Sequence, residues 1–234
     1  VSFSTPVFST SFQRFAGVTS VADVNGDRKP DLVLGTDGDL EIFVNTGRGT
    51  LSRRQVIQGA VHAFAVGDLD GDGIVDFVTA NPSSTQGLKV YFMGTDFHVA
   101  KQVSLPLTRG SAAVVIADFD DDGLSDLAAV NLCEAPLYCD RGKVTLSLND
   151  GGRAFADPRS FLAGYYPFAL ASGDFNADGN VDLVTSNGIS DDVSVFLGNG
   201  DGSFAEETRY AADVGGTHTI DPQSLIVGDW NRDG

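Results

Sequence analysis

One acidic pattern of nine residues recurs along the 234-residue chain. Aspartate occupies positions 1, 5 and 9 of the pattern, and aspartate or asparagine occupies position 3. Copies start at Asp23, Asp68, Asp118, Asp174 and Asp229, which are 45, 50, 56 and 55 residues apart, and the fifth stops after its sixth position, at Gly234. Three or four carboxylates within nine residues repel one another unless a cation joins them, so the pattern predicts a repeated cation-binding loop.

Calcium is the cation that this pattern favours, because side-chain oxygens at positions 1, 3, 5 and 9 and a carbonyl oxygen at position 7 supply about five of the six to eight hard oxygen ligands that it accepts. The candidate side-chain ligands are Asp23, Asn25, Asp27 and Asp31; Asp68, Asp70, Asp72 and Asp76; Asp118, Asp120, Asp122 and Asp126; Asp174, Asn176, Asp178 and Asp182; and Asp229, Asn231 and Asp233 in the truncated copy. The candidate carbonyl donors are Lys29, Ile74, Leu124 and Asn180. About four complete calcium sites and a truncated fifth are therefore predicted.

Other interpretations of the loops are weaker. Magnesium requires a tighter octahedron and retains its water, and zinc prefers the His and Cys ligands that the loops lack. Metal-free hairpin turns are the alternative, because Asp, Asn and Gly are common in turns. Position 6 is Gly73, Gly123 or Gly179 in three copies, which suits a sharp turn, but it is Arg28 in the first copy, so whether the first loop binds metal stays open.

Short runs rich in Val, Ile, Leu, Phe and Thr separate the loops and predict strands. In the second and fourth periods these runs cover residues 64–67, 77–80, 89–93 and 99–105, and residues 168–173, 183–186, 193–197 and 204–210. Each period also carries a glycine-rich turn that ends in an apolar residue, as in LGNGDGSF at residues 197–204. No segment has the sustained apolar stripe of a long helix.

Four short antiparallel strands repeated about every 50 residues match the size of a propeller blade. We therefore predict an all-β fold, a β-propeller with about four complete blades and partial blades at both ends. We expect residues 1–234 to form a single propeller region whose repeats start near residues 17, 62, 112, 168 and 223, truncated at both ends. A small residue precedes every loop, as expected of innermost strands that crowd a central channel: Ala22, Gly67, Ala117, Gly173 and Gly228. A calcium-binding parallel β-helix is the alternative, but its repeat is far shorter.

Charge and composition exclude several classes of partner. The chain has 32 acidic and 15 basic side chains and a formal net charge of −17, so it lacks the basic footprint that nucleic acids and anionic membranes require. It also lacks the run of roughly 18 apolar residues that membrane insertion needs.

We expect no catalysis, because His62, His98 and His218 fall at different phases of the repeat and no G-x-S-x-G elbow is present. A carboxylate pair among Glu134, Asp140, Asp191 and Asp192 is the alternative to be weighed.

Two of the copies carry a resemblance to a known family, in VGDLDGDGIVDFVTAN at residues 66–81 and SGDFNADGNVDLVTSN at residues 172–187, together with the turn at residues 197–204. These motifs resemble the FG-GAP or VCBS repeats of integrin α-subunit propellers and of many bacterial extracellular proteins. The resemblance covers essentially the whole chain. It implies a calcium-braced propeller used for adhesion or ligand binding, and it includes propellers that serve as lectins.

The predicted function is a calcium-stabilised, extracellular or cell-surface binding module in which calcium is structural. Its protein or glycan ligand is expected on the loop face opposite the calcium loops, where five side chains could stack on a sugar or anchor a peptide, or could instead fill gaps between blades: Phe12, Phe15, Tyr165, Tyr166 and His218. Cys133 and Cys139 are close enough in sequence for a disulfide in an oxidising compartment, with buried free thiols as the alternative. The alternative function is a non-catalytic accessory propeller of a larger secreted carbohydrate-active or toxin-like enzyme.

Overall fold

The part of the chain that the structure describes is built of short strands. The structure is a computed structural model that describes residues 16–36, 38–59, 61–81, 87–106, 110–131, 141–212, 222 and 224–228. The described residues form an all-β fold of four antiparallel four-stranded sheets, which follow one another along the chain. Within these ranges no helix is long and apolar enough to cross a membrane.

The first and second sheets have the same order of strands. The first contains β1 (Ala16–Ala22), β2 (Asp31–Thr36), β3 (Asp39–Gly47) and β4 (Thr50–Gln58). The second contains β5 (Ala63–Gly67), β6 (Asp76–Ala80), β7 (Leu88–Met93) and β8 (Val99–Leu105), with a 3₁₀ turn at Thr95–Phe97 between its last two strands. In each sheet every strand pairs with the next one along the chain.

The third and fourth sheets repeat this order. The third contains β9 (Ser111–Ala117), β10 (Asp126–Asn131) and β11 (Lys143–Ser147), then a two-stranded hairpin of β12 (Asn149–Gly151) and β13 (Ala154–Phe155), then the edge strand β14 (Arg159–Leu162). The fourth contains β15 (Pro167–Gly173), β16 (Asp182–Asn187), β17 (Asp192–Phe196) and β18 (Thr208–Ala211).

The strands predicted in the second and fourth periods are confirmed to within a residue or two, with one exception. The run at residues 204–210 was predicted as one strand, but β18 starts only at Thr208. Phe204 instead closes a turn by bridging Gly198, and its ring packs against Phe161 and Phe196 at centroid distances of 5.1 and 6.4 Å. The apolar run therefore divides between a turn anchor and an edge strand.

The core lies between neighbouring sheets rather than within any one of them. Second strands are the most buried, and every residue of β6 and of β10 is buried. One apolar cluster lies between each pair of consecutive sheets. In chain order, the three clusters are centred on Leu40 and Phe77, on Phe92 and Leu127, and on Val144 and Leu183. The second and third sheets therefore bury both of their faces against neighbouring sheets, and the first and fourth sheets each bury one face in this way.

First strands of successive sheets lie next to one another, in the order β1, β5, β9 and β15. Gly67, at the end of β5, shows how closely they approach, because a Cβ added there would lie 3.3 Å from side-chain atoms of Ile116 in β9. At this position the neighbouring sheet thus favours a small residue before the loop.

Replacement of Gly67 by leucine should lower the free energy of unfolding by about 1–3 kcal/mol, because the added side chain must displace Ile116 from a packed contact. Denaturant titration of Gly67→Leu, Ile116→Ala and the double variant measures the effect. The two changes should be less than additive in the double variant, since the alanine vacates the space that the leucine needs. Full additivity would show that the two side chains do not compete for space.

Candidate cation-binding loops

The backbone of the four described loops repeats one conformation between the first and second strand of each sheet. Positions 4 and 6 both have positive φ, at Gly26 and Arg28 (74° and 63°), Gly71 and Gly73 (73° and 81°), Asp121 and Gly123 (58° and 86°), and Ala177 and Gly179 (59° and 90°). The turn predicted at position 6 is confirmed, and Arg28 adopts it despite its side chain. Position 4 was missed, because it is glycine only in the first two copies and Ala177 gives no sequence signal for a left-handed residue.

The aspartate at position 1 holds this turn closed. Asp68 accepts hydrogen bonds from the backbone amides of Gly71 and Gly73, both at 2.8 Å. Asp118 accepts the amides of Asp122 at 3.3 Å and Gly123 at 2.9 Å. The first carboxylate is therefore fixed in place with its oxygens facing the middle of the loop.

The aspartate at position 9 is buried and holds two parts of its sheet together. In the second loop, the Oδ2 atom of Asp76 accepts the amide of Leu69 at 2.9 Å, and its Oδ1 atom accepts the amide of Met93, at the end of the third strand, at 2.8 Å. Asp126 likewise accepts hydrogen bonds from the backbone amides of Phe119 at 2.8 Å and Asn149 at 2.7 Å. We call this paired arrangement the carboxylate staple.

The carboxylate staple is present in the other two described loops as well. Asp31 accepts the amides of Val24 and Asn45 at 3.0 and 2.7 Å. Asp182 accepts those of Phe175 and Gly198 at 2.8 and 2.7 Å. Position 9 was predicted only as a metal ligand, and its structural role was missed. The signal for that role is its place at the first residue of a buried strand, where an unpaired carboxylate would be costly.

Three carboxylates converge in the second and third loops. Carboxylate oxygens of Asp68, Asp70 and Asp76 lie within 4.8 Å of one another, and so do those of Asp118, Asp120 and Asp126. The aspartate at position 5 lies outside both groups and accepts the amide of position 7, at 2.8 Å from Ile74 to Asp72 and from Leu124 to Asp122. The structure thus brings positions 1, 3 and 9 together, while the carbonyl of position 7 stays a predicted ligand.

The electrostatics of these two groups favour a cation. Burial raises the pKa of both Asp76 and Asp126 to about 6, against the opposing effect of the amides that each accepts. Burial also raises the pKa of Asp120, and the negative charges of Asp122 and Asp118 raise it further. The Oδ1 atom of Asp120 is buried and has no hydrogen-bond partner. A buried, unpaired carboxylate oxygen beside two other carboxylates fits a hard cation such as Ca²⁺.

An arginine that sequence reasoning missed reaches the second loop from the third sheet. The guanidinium of Arg153 donates from Nε to Asp70, and its Nη2 atom lies 3.5 Å from Asp72. The same group lies over the ring of Phe92, 5.5 Å from its centroid. The carboxylates of the second loop therefore pair with a side chain from the neighbouring sheet. The sequence alone gives no sign of this contact.

The first and fourth loops differ because asparagine occupies position 3. In the first loop the Nζ atom of Lys29 lies 2.8 Å from Asp27, and this hydrogen bond lowers the pKa of that carboxyl. In the fourth loop the amides of Asn180 and Asn176 hold Asp178 and lower its pKa. In both loops the carboxylate at position 5 thus accepts hydrogen bonds from residues of the same loop. The fifth copy of the pattern, with Asp229, Asn231 and Asp233, lies outside the described residues.

The glycine-rich hairpins of the third and fourth sheets each bond the loop of the preceding sheet. Asn149, in the hairpin of the third sheet, donates its side-chain amide to the carbonyl of Leu69 at 2.7 Å in the second loop. In the fourth sheet the amide of Gly202 donates to the carbonyl of Phe119 at 3.0 Å. The hairpins and the cation loops therefore lie at the same end of the sheets and join neighbouring sheets there.

The remaining predicted residues are engaged in local contacts or lie outside the described ranges. Tyr165 is 40% exposed, with the guanidinium of Arg209 5.9 Å from its ring centroid. Asp192 accepts hydrogen bonds from Asn187 and Ser190 and pairs with Arg209, so it is held in a network rather than exposed as a reactive acid. The residues outside the described ranges are Phe12, Phe15, Cys133, Glu134, Cys139, Asp140 and His218.

A profile of the FG-GAP-like repeat matches residues 23–79, 68–129 and 174–234, which is more than half of the chain. The chain belongs to the FG-GAP-like repeat family. Each matched segment begins at the first aspartate of a cation loop, so the family pattern and the loop geometry coincide. No curated protein sequence matches the chain.

Solved structures resemble the chain at low sequence identity, and one of them, a lectin, shows the same kind of fold. An Agrocybe aegerita lectin, described as recognising non-reducing terminal N-acetylglucosamine, is 19% identical with a TM-score of 0.55, and the match covers 82% of this chain and 51% of the lectin. The chain thus spans about half the length of that lectin. The V. cholerae biofilm matrix protein Bap1 is 17% identical with a TM-score of 0.45, covering 88% of this chain and 41% of Bap1.

Replacing Asp126 by asparagine should destabilise the metal-free protein by about 1–3 kcal/mol, because the new NH₂ group would face one of the two amides that the carboxylate accepts. Asp122→Asn is the matched control: it removes the same charge from the same loop, but the asparagine oxygen can still accept the amide of Leu124. That control should change stability by less than about 0.5 kcal/mol. Denaturant unfolding in excess chelator measures both, and equal effects would rule out the carboxylate staple.

Proposed function

We propose that the chain is a calcium-braced β-propeller that acts as an extracellular binding module for a protein or glycan ligand. The observation that carries the proposal is the convergence of three carboxylates in the second and third loops, with one buried oxygen of Asp120 left without a partner. Calcium in this account is structural, and the chain itself is not a catalyst.

The order of the sheets supports the propeller. First strands lie side by side in chain order, and each pair of neighbouring sheets shares one apolar cluster, as in blades stacked around an axis. A single four-stranded blade cannot bury both of its faces, so this stacking also explains why the second strands are the most buried. The likeness to the lectin supports the same fold class.

Calcium would be held by Asp68, Asp70 and Asp76 in the second loop and by the equivalent residues in the third. The ion supplies positive charge where three carboxylates face one another, and it thereby favours the charged form of the buried position 9 carboxylate. Because that carboxylate bonds both the loop and the end of the third strand, the ion would stabilise the whole end of the sheet. Calcium is abundant outside cells, which supports an extracellular location and an oxidising environment for Cys133 and Cys139.

The ligand is proposed to bind at the end of the sheets away from the cation loops. Connections there differ in length and composition between sheets, as binding loops on a rigid scaffold usually do. Tyr165 offers a partly exposed ring at this end, beside Arg209, and such a pair suits stacking on a sugar or contact with a peptide. The lectin has a similar fold and a stated sugar ligand, which supports this choice.

Thermal unfolding followed by circular dichroism tests the calcium part of the proposal. In millimolar calcium the midpoint should rise above that in excess chelator, because each site filled at a hundred times its Kd adds about 2.7 kcal/mol to the native state. Asp120→Asn should lose part of the rise. The control Asp150→Asn removes an exposed carboxylate from a hairpin and should keep it. An equal midpoint in calcium and in chelator would contradict the structural role of calcium.

A screen of immobilised glycans and matrix proteins in calcium tests the binding part. The proposal predicts saturable binding to at least one of them, weakened in Tyr165→Ala while the unfolding midpoint is kept. Absence of binding by a calcium-loaded, folded chain would contradict a self-sufficient binding module without affecting the calcium result.

A further inference from the structure

A cavity of about 300 Å³ lies between the first and second sheets, at the end that carries the cation loops. Three elements line it: residues 23–26 of the first loop, residues 73–75 of the second loop with Phe77, and residues 93–97, which form the turn between β7 and β8. A volume of this size is at the lower end of the range for small-molecule sites.

The equivalent space between the second and third sheets is filled by the hairpin of the third sheet. Asn149 donates to the carbonyls of Leu69 and Ser125, at 2.7 and 2.9 Å, so the base of the hairpin bonds both loops. Arg153, at its tip, contacts Asp70 and covers the ring of Phe92. An arginine side chain therefore occupies the junction beside position 3 of the preceding loop.

The space between the third and fourth sheets is also filled. The amide of Gly202 donates to the carbonyl of Phe119 at 3.0 Å, and the rings of Phe119 and Phe204 meet edge to face at 5.9 Å. At both of these junctions, groups of the hairpin thus occupy the position that the cavity has between the first and second sheets.

The difference lies in the length of the hairpin. In the second, third and fourth sheets this segment can be measured from the residue whose amide donates to the position 9 aspartate to the next phenylalanine. It has seven residues in the third and fourth sheets, at 149–155 and 198–204, but only five in the second, at 93–97. The shorter turn bonds to itself, from Gly94 N to His98 O at 2.9 Å. Asp96 and Phe97 both take positive φ, 65° and 63°, to close it. A turn two residues shorter does not cover the first loop.

The lining of the cavity is amphipathic and acidic. Apolar walls come from Val24, Ile74, Val75, Phe77, Met93 and Phe97. Asp23, Asn25 and Asp96 supply oxygens, and no Lys, Arg or His is among the described residues that line the cavity. A ligand with a short apolar stem and a positively charged end matches both parts of this lining.

We propose that this cavity binds an alkylguanidinium group, either in a small molecule or as the arginine side chain of a partner protein. Arg153 is the template within the chain itself, because it places a guanidinium on an apolar stem at the equivalent position of the next junction. Guanidinium suits the site better than ammonium, since its flat face can lie on the apolar wall while its N–H groups meet the oxygens.

Amide chemical shifts of the full chain in calcium, followed on titration with two probes, test the proposal. The probes are agmatine, a free alkylguanidinium, and N-acetylarginine methylamide, a model of a partner's side chain. Shifts should concentrate at residues 23–26, 73–75 and 93–97, with a Kd on the order of millimolar for a ligand this small. N-acetylcitrulline methylamide, a neutral isostere, should bind at least about tenfold more weakly. Tighter binding of the capped arginine would indicate a protein partner, and tighter binding of agmatine a free ligand.

Two variants distinguish the cavity from the acidic surface in general. Asp96→Asn keeps a residue that tolerates positive φ and should weaken both probes several-fold, while Asp150→Asn, which removes the same charge at another hairpin, should not. Replacing residues 94–96 by the five-residue segment 150–154 should abolish binding and raise the unfolding midpoint, because the hairpin then supplies its own arginine. Equal binding of the citrulline probe, shifts scattered over the surface, or full binding by the lengthened variant would overturn the proposal.

Discussion

The buried carboxylate at position 9 is the interaction on which the rest of the described structure depends. It accepts hydrogen bonds from the amide of position 2 of its loop and from an amide near the end of the third strand, and this pairing is the same in all four described loops. A buried charge of this kind is tolerated only while its partners are kept, so the loop, the second strand and the third strand are positioned together. The cation loop is thereby a part of the sheet rather than an appendage to it.

From this fixed point the structure extends to neighbouring sheets. In the third sheet the residue whose amide bonds the carboxylate also begins the hairpin that reaches back to the preceding loop, because Asn149 donates its side-chain amide to the carbonyl of Leu69. The four loops differ in which groups hold their acidic oxygens. Lys29 pairs with the first and Arg153 with the second, whereas in the third the Oδ1 atom of Asp120 has no partner. A shared framework therefore carries loops whose acidic oxygens are engaged to different extents, and the unpaired oxygen of Asp120 lies in the third.

Much of this could be predicted from the sequence, because it depends on local spacing. The aspartate pattern predicted the loops, and the alternation of apolar runs and turns predicted the strands of the second and fourth sheets. The contacts between sheets could not be predicted in this way. Nothing local indicates that Arg153 meets Asp70, or that Ala177 takes a positive φ. The shorter turn at residues 93–97 is visible in the sequence, yet its consequence, a cavity, depends on a loop some 70 residues earlier.

Calorimetric titration of the chelator-stripped chain with calcium tests the central claim most directly. If the carboxylates at positions 1, 3 and 9 form cation sites, calcium should bind saturably with one ion in each of the two converging groups. Asp120→Asn should then remove the site in the third loop and leave that in the second. Heats equal to those of dilution, or binding unchanged when Asp70 and Asp120 are both replaced by asparagine, would contradict the account.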